Sequence, residues 1–175
     1  MIEERIKAAI RDVPNFPKEG IIFKDIMPIL EDTVLTKDVT LAFAKHAREL
    51  GVDAIMGVES RGFFWGLLLA QELGVPFIPV RKKGKLPYET VGHKYDLEYG
   101  SAEIEVHIDA ITEGSSILIH DDLLATGGTA AAAAAIAQKQ GADIAGFSFL
   151  VILDFLKGHE KLQQFSSNIN GLVTY

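Results

Sequence analysis

Cysteine is missing altogether from the 175 residues, and tryptophan occurs once. The first absence removes disulfides, thiolate nucleophiles and cysteine-type zinc sites from the possible chemistry. Positive charge is in deficit as well: 17 Lys and Arg against 24 Asp and Glu leave a formal charge of −7. That balance argues against nucleic acid as a partner, because non-specific binding needs a basic face. No long apolar run occurs; "GFFWGLLLA" at 62–70 falls far short of the roughly 20 residues that span a bilayer, so no membrane association is expected. The opening "MIEERIKAAIRDVP" mixes charges every few residues and does not read as a signal peptide, so the expected location is cytoplasmic. Two glycine motifs are also absent. No two glycines stand in G-x-G spacing and no G-x-x-x-x-G-K-[ST] occurs, which speaks against a dinucleotide-binding dehydrogenase and a P-loop NTPase.

What is present is an ordinary globular composition, 48% hydrophobic and 23% charged, most simply one domain over residues 1–175. Ile2, Ile6, Ala9 and Ile10 have helical spacing that ends before Pro14, an irregular stretch follows to Pro17, and Ile21 to Phe23 read as a short extended run. A second helix fits 34–50. From Gly51 onward short apolar runs alternate with helices: "VDAIMGV", "GFFWGLLLAQEL", "VPFIPV", then "SILIHDD", "GGTAAAAAAIAQKQ" and "IAGFSFLVIL". This rhythm predicts an α/β fold of Rossmann-like topology, a mostly parallel sheet flanked by helices. The alanine run at 130–135 needs only a structural role, a good helix former that packs close to a sheet. Between residues 81 and 110 the rhythm breaks. "SAEIEVHID" alternates as a half-exposed antiparallel strand, with Glu103, Glu105 and His107 on its polar face. The Gly-, Pro- and charge-rich "KGKLPYETVGHKYDLEYG" before it predicts a long mobile connection, a flap over a site.

"ILIHDDLLATGGT" at 117–129 carries the strongest chemical signal. Ligands of open α/β sheets bind beyond the carboxyl ends of the strands, which is where this segment leaves its strand. Ala125, Thr126, Gly127, Gly128 and Thr129 offer successive backbone donors at a helix start, which suits one phosphate. Asp121 and Asp122, immediately before, can accept hydrogen bonds from a sugar diol. Acids at a strand end often merely cap a loop; the adjoining TGGT favours the ligand reading. A basic cluster, "RKKGK" at 81–85, supplies local charge for an anion in an otherwise acidic chain.

The segment resembles the phosphoribosyl-pyrophosphate motif of type I phosphoribosyltransferases, and its "LLATGGT" form is similar to that of the adenine-using branch. Four further segments extend the resemblance over nearly the whole chain. "VESRGF" at 58–63 is similar to the pyrophosphate loop, which implies that backbone at Glu59, Ser60 and Arg61 holds the diphosphate and that Arg61 adds charge. "RKKGKLPYETVGHKYDLEYG" looks like the family's flap, which implies that Arg81, Lys82 and Lys85 neutralise pyrophosphate, some of them across a dimer interface. Within it, Glu98 matches the carboxylate that gives a proton to N7 of the purine, and Tyr99 packs over or hydrogen-bonds the reacting centre. "FPKEGIIFKDI" at 16–26 resembles the adenine-recognition stretch, with Phe23 stacked on the base and backbone of Ile22 and Lys24 reading its amino edge. "LDFLKGHEKL" matches a segment in which Leu153 lines the base pocket. Departures are few: His120 stands where an apolar residue is usual and reads as a hydrogen-bonded strand-end histidine, Lys24 and His159 replace Arg, and Ile152 replaces an acid.

The resemblance implies transfer of phosphoribose from phosphoribosyl pyrophosphate to adenine, giving AMP and pyrophosphate, with Mg2+ held mainly by the substrate, and a homodimer. Two other readings stay open: a phosphoribosyltransferase for a 6-oxopurine or orotate, and a non-catalytic regulator that keeps the phosphoribosyl site.

Overall fold

The computed structural model describes residues 1–96 and 100–175. In chain order the elements are α1 (Ile2–Ala9), β1 (Arg11–Pro14), β2 (Ile22–Asp25), α2 (Met27–Glu31), α3 (Thr33–Leu50), β3 (Ala54–Val58), α4 (Gly62–Leu73), β4 (Phe77–Lys82), β5 (Thr90–Asp96), β6 (Ser101–His107), β7 (Ser116–Leu124), α5 (Gly128–Lys139), β8 (Asp143–Ile152), a 3-10 turn (Asp154–Leu156), α6 (Gly158–Leu162) and β9 (Ile169–Thr174). The main sheet runs β5-β6-β4-β3-β7-β8-β9. Neighbours from β4 to β9 pair in parallel, while β5, β6 and β4 pair antiparallel at one edge. The expected mostly parallel, helix-flanked sheet is therefore what forms.

Both faces of this sheet are covered, which explains strands that read as continuous apolar runs. In β7, Ile117 and Ile119 join the core under α5, with Met56, Val58, Phe147 and Phe149. Leu118, between them in sequence, points to the opposite core of α1, α3 and α4, with Ile6, Phe43, Trp65 and Leu69. The alanines of α5 pack on the first face, Ala133, Ala134 and Ala137 having no exposure at all. Helix α3 begins where Asp32 accepts N–H bonds from Val34 and Leu35, and stops at Gly51, whose φ of 63° a side chain would disfavour. Among the described residues no helix is long and apolar enough to cross a membrane.

Three local expectations change. Arg11–Pro14, read as the end of the first helix and the start of an irregular stretch, is a strand that pairs antiparallel with β2; four residues are too few to display alternation. The connection expected to be long and mobile contains β5, paired along its whole length with β6 from Thr90↔His107 to Asp96↔Ser101. Its alternating Val91, His93 and Tyr95 were masked by surrounding glycine and charge. Glu105 does not lie on a solvated face: it is buried, and its carboxylate accepts the Gly84 N–H at 2.9 Å and the Thr90 hydroxyl at 3.2 Å. The turn after β4 folds over it.

Leu118 occupies the central strand with no exposed surface. Leu118→Ala is expected to destabilise the chain by about 2–5 kcal/mol through lost burial and the cavity left behind. Urea unfolding would register this as a lower midpoint at unchanged slope.

Candidate active site

The site assembles where β3 and β7 end side by side. After Leu124 the chain turns through residues 125–127 into α5, with Gly127 at φ 76° as the residue before the helix. A Cβ there would stand 2.6 Å from the carbonyl oxygen of Gly158, and one on Gly158 would collide with the Ala125 carbonyl oxygen. Two glycines from distant segments thus let backbone meet backbone, and the loop is held open as a rigid cup. No side chain caps the start of α5, so its first N–H groups and the positive end of its dipole face the cup. The recess is about 80 Å3, lined by Asp121, Thr126, Gly127, Gly128 and Thr129 among others. Sites for whole small molecules are roughly 300–1,000 Å3, so this one suits a single phosphate group. A hollow of about 540 Å3 between α2, α3 and α4 is larger but stands away from the strand ends and their polar groups.

Beside the cup lie the paired acids. Asp121 accepts the Asp122 N–H at 2.8 Å, and Asp122, buried, has Oδ2 3.0 Å from Nε of Arg61. That contact is a close charge pair without the alignment of a hydrogen bond. Burial, and then the neighbouring Asp122 charge, push the Asp121 carboxyl well above the usual range; burial also raises Asp122, opposed by Arg61. Burial and mutual repulsion thus favour the protonated form of one acid of the pair.

Arg61 sits at the entry to α4, directly after a cis Glu59–Ser60 peptide. Its guanidinium also lies 5.2 Å above the ring of Phe23, so one cation joins the acid pair to β2. Phe23 is partly buried, with Phe16 edge-on at 5.1 Å, whereas Ile22 is exposed and the Lys24 ammonium pairs with Asp12 at 2.7 Å. Leu153, partly buried, donates its N–H to Leu124 and ties the end of β8 to the cup.

Two cations of the "RKKGK" run, Arg81 and Lys85, are brought to the same loop and are already engaged there. Glu59, nearly buried, meets Lys85 Nζ at 2.7 Å, Arg81 Nε at 3.2 Å and the Lys82 N–H at 3.0 Å. Burial alone would raise its carboxyl; the bonds from Lys85, Lys82 and Arg81 outweigh that and take it down to about 2. Lys82 itself extends to solvent. His120 is fully buried, its Nδ1 3.1 Å from Ser148 Oγ and its ring edge-on to Phe43. Desolvation takes it down to about 3, so it is neutral and structural. Glu98 and Tyr99 lie outside the described residues. Two participants escaped the sequence reading: Tyr95, whose hydroxyl is 3.0 Å from that of Thr129 and whose ring faces Gly128, and Gly158, which backs the cup. The alternation of β5 was the available signal for the first. For the second there was none before the two glycines met.

Residues 29–164 match the phosphoribosyl transferase domain family. Over all 175 residues the chain is 50% identical to an adenine phosphoribosyltransferase of Cytophaga hutchinsonii, spanning 97% of that protein. The chain belongs to the adenine phosphoribosyltransferase family. Solved structures agree: the family member from Thermoanaerobacter pseudethanolicus superposes with a TM-score of 0.95 at 44% identity, each chain fully covered. The Saccharomyces cerevisiae member, in complex with adenine and an imino-altritol bisphosphate, gives 0.92 at 42% identity over 98% of both chains. In this chain Arg61 of the loop after β3 lies 3.0 Å from Asp122, and Asp121 beside it lines the cup.

The raised Asp121 carboxyl has a consequence for stability. An acid whose folded pKa is raised contributes most when protonated, and that contribution is lost as pH climbs from the unfolded value, roughly 3.9, toward the folded one. Asp121→Asn removes the titration. It is expected to raise stability at pH 8 by about 1 kcal/mol and to lose this advantage at pH 3, as read from urea midpoints at the two pH values.

Proposed function

We propose that this chain transfers the phosphoribosyl group of phosphoribosyl pyrophosphate to adenine, releasing pyrophosphate and forming AMP, a purine-salvage step. The observation that carries the reading is the Asp121–Asp122 pair set between a phosphate-sized cup and a loop of cations, with the hairpin of β1 and β2 tied to it through Arg61. Residues 125–129 hold the 5-phosphate, Asp121 and Asp122 hold the ribose hydroxyls, and Arg61 with Ser60, Arg81, Lys82 and Lys85 holds the pyrophosphate. As the bond from C1 to pyrophosphate breaks, positive charge develops on the sugar ring and negative charge on the leaving group. Acids below the sugar and cations around the diphosphate stabilise both.

Adenine is read by backbone. Pro14 has no N–H to give and stands opposite Ile22, so that pair belongs to the non-hydrogen-bonded set of the ladder. Alternation turns the peptide groups of Ile22 and Lys24 to the open edge of β2. A fixed N–H and carbonyl there match the N1 acceptor and N6 donor of adenine and oppose the reversed pattern of 6-oxopurines. Phe23 stacks on the ring and Leu153 forms the other wall. To Glu98 we assign the proton at N7, and to Tyr99 a packing contact or hydrogen bond at the reacting centre.

Magnesium fits this chemistry. Among the described residues no group of three acids or histidines can hold a metal alone, so the ion would be held mainly by the oxygens that the diphosphate and the ribose hydroxyls present. Bound there with the substrate, the ion would offset charge on the leaving pyrophosphate. We also assign a homodimer, supported by Val34 and Leu41 of α3 and Phe64, Leu67 and Leu68 of α4, all exposed. Cytoplasmic residence suits a reaction whose phosphorylated substrate and products are soluble and charged.

The deciding assay is pyrophosphate release with magnesium and phosphoribosyl pyrophosphate against adenine, hypoxanthine, guanine and orotate in parallel. Release with adenine alone is expected; release with another base instead would overturn the reading of β2, and none with any base would favour a regulator. Glu98→Gln is expected to lower turnover about 10²-fold or more while phosphoribosyl-pyrophosphate binding persists. Unchanged turnover between pH 6 and 9 would remove Glu98 from the mechanism.

A further inference from the structure

Lys24 is a lysine with only 17% of its side chain exposed, and it lies away from the anion loop. Its ammonium is 2.7 Å from Asp12 and 4.0 Å from the centre of the Tyr175 ring, with Lys7 a second cation at 5.7 Å from the same ring. Tyr175 is held on both sides of its backbone: its N–H donates to Ile152 at 3.0 Å, and its oxygen accepts the Asp154 N–H at 3.0 Å. Its ring packs against the core of α1 and α3. One aromatic ring therefore connects β2 to the junction that carries Leu153.

This connection is mechanically placed. Two paired strands of four residues are barely stable alone and need an anchor in the body of the protein. On β2 the side chains of Ile22 and Lys24 point to one face and Phe23 to the other. The contacts on the Phe23 face come from Phe16, which belongs to the same hairpin region, and from Arg61, which faces the acid pair. Lys24 on Tyr175 holds the hairpin from behind, through groups that touch no reacting atom.

We propose that Tyr175 is a positioning residue for the base. Through Lys24 its ring sets the spacing between the backbone edge of β2 and the wall at Leu153. The inference rests on the reading of β2 as the base-recognition strand. It makes the identity of residue 24 matter through its side chain as well as its backbone, since a cation is required there.

The test uses Tyr175→Ala, Tyr175→Phe and Lys24→Met in the full chain, with two readouts. In the first, Tyr175→Ala and Lys24→Met each raise the KM for adenine ~3- to 10-fold, the range of one partly buried cation–π contact. In Tyr175→Ala the KM for phosphoribosyl pyrophosphate and kcat stay within about twofold, and Tyr175→Phe, which keeps the ring, behaves as the parent. The double variant is no worse than Lys24→Met alone, because that substitution already removes the ring contact together with the Asp12 pair. In the second, without substrates, amide exchange at Val13 and Phe23 is faster in Tyr175→Ala than in the parent. An unchanged adenine KM, or equal rises for both substrates, overturns the positioning role. Unchanged exchange overturns the anchor itself. A parent that releases no pyrophosphate with adenine refutes the functional reading instead, and the exchange comparison still decides the anchor.

Discussion

The contact between Arg61 and Asp122 is the constraint on which the site depends. It joins the end of β7 to the start of α4, and by lying over Phe23 the same guanidinium reaches β2. A buried carboxylate without a cation is a severe penalty: removing one partner of such a pair generally costs about 3–5 kcal/mol. With Arg61 present, two adjacent acids can be held at the end of an apolar strand, where burial and their mutual repulsion favour protonation of one of them.

A similar logic governs the second group of cations. A chain with a formal charge of −7 must concentrate positive charge to hold a diphosphate, and concentrated cations repel one another. Glu59 relieves this by pairing with Lys85 and Arg81 and accepting the Lys82 N–H. Its carboxylate, held down to about 2, stays charged through the whole physiological range. The same pairs gather Arg81 and Lys85 beside the loop of Ser60 and Arg61.

The large elements were legible because their signals are local. Helix α4 runs from Gly62 to Leu73 as its apolar pattern requires, and the Gly74 and Gly51 stops at positive φ are visible as residues. The cup at 125–129 was legible because glycines next to a strand end have few other uses. What escaped was whatever depends on partners far away in the chain. Arg11–Pro14 becomes a strand only through Ile22–Asp25, Glu105 is buried only because the 83–86 turn covers it, and Gly158 matters only because Gly127 faces it. Charge assignments suffered most. Arg81 and Lys85 read as open cations in sequence, and only the packing of β4 beside β3 brings Glu59 to them.

Strand β7 shows why the site and the fold are hard to separate. Up to His120 its side chains alternate between two apolar cores, and His120 itself is kept neutral by burial and bonded to Ser148 of β8. One residue later the same strand carries Asp121. The rigidity that holds the acids at bonding distance from Arg61 and the cup comes from the parallel pairing of β7 with β3 on one side and β8 on the other. β3 leads into the loop that bears Glu59 to Arg61, and β8 leads to Leu153, whose N–H returns to Leu124. Three adjacent strand ends thus carry the Glu59–Arg61 loop, the acid pair with the cup, and Leu153, and the spacing of about 4.8 Å between neighbouring strands sets how far apart they stand.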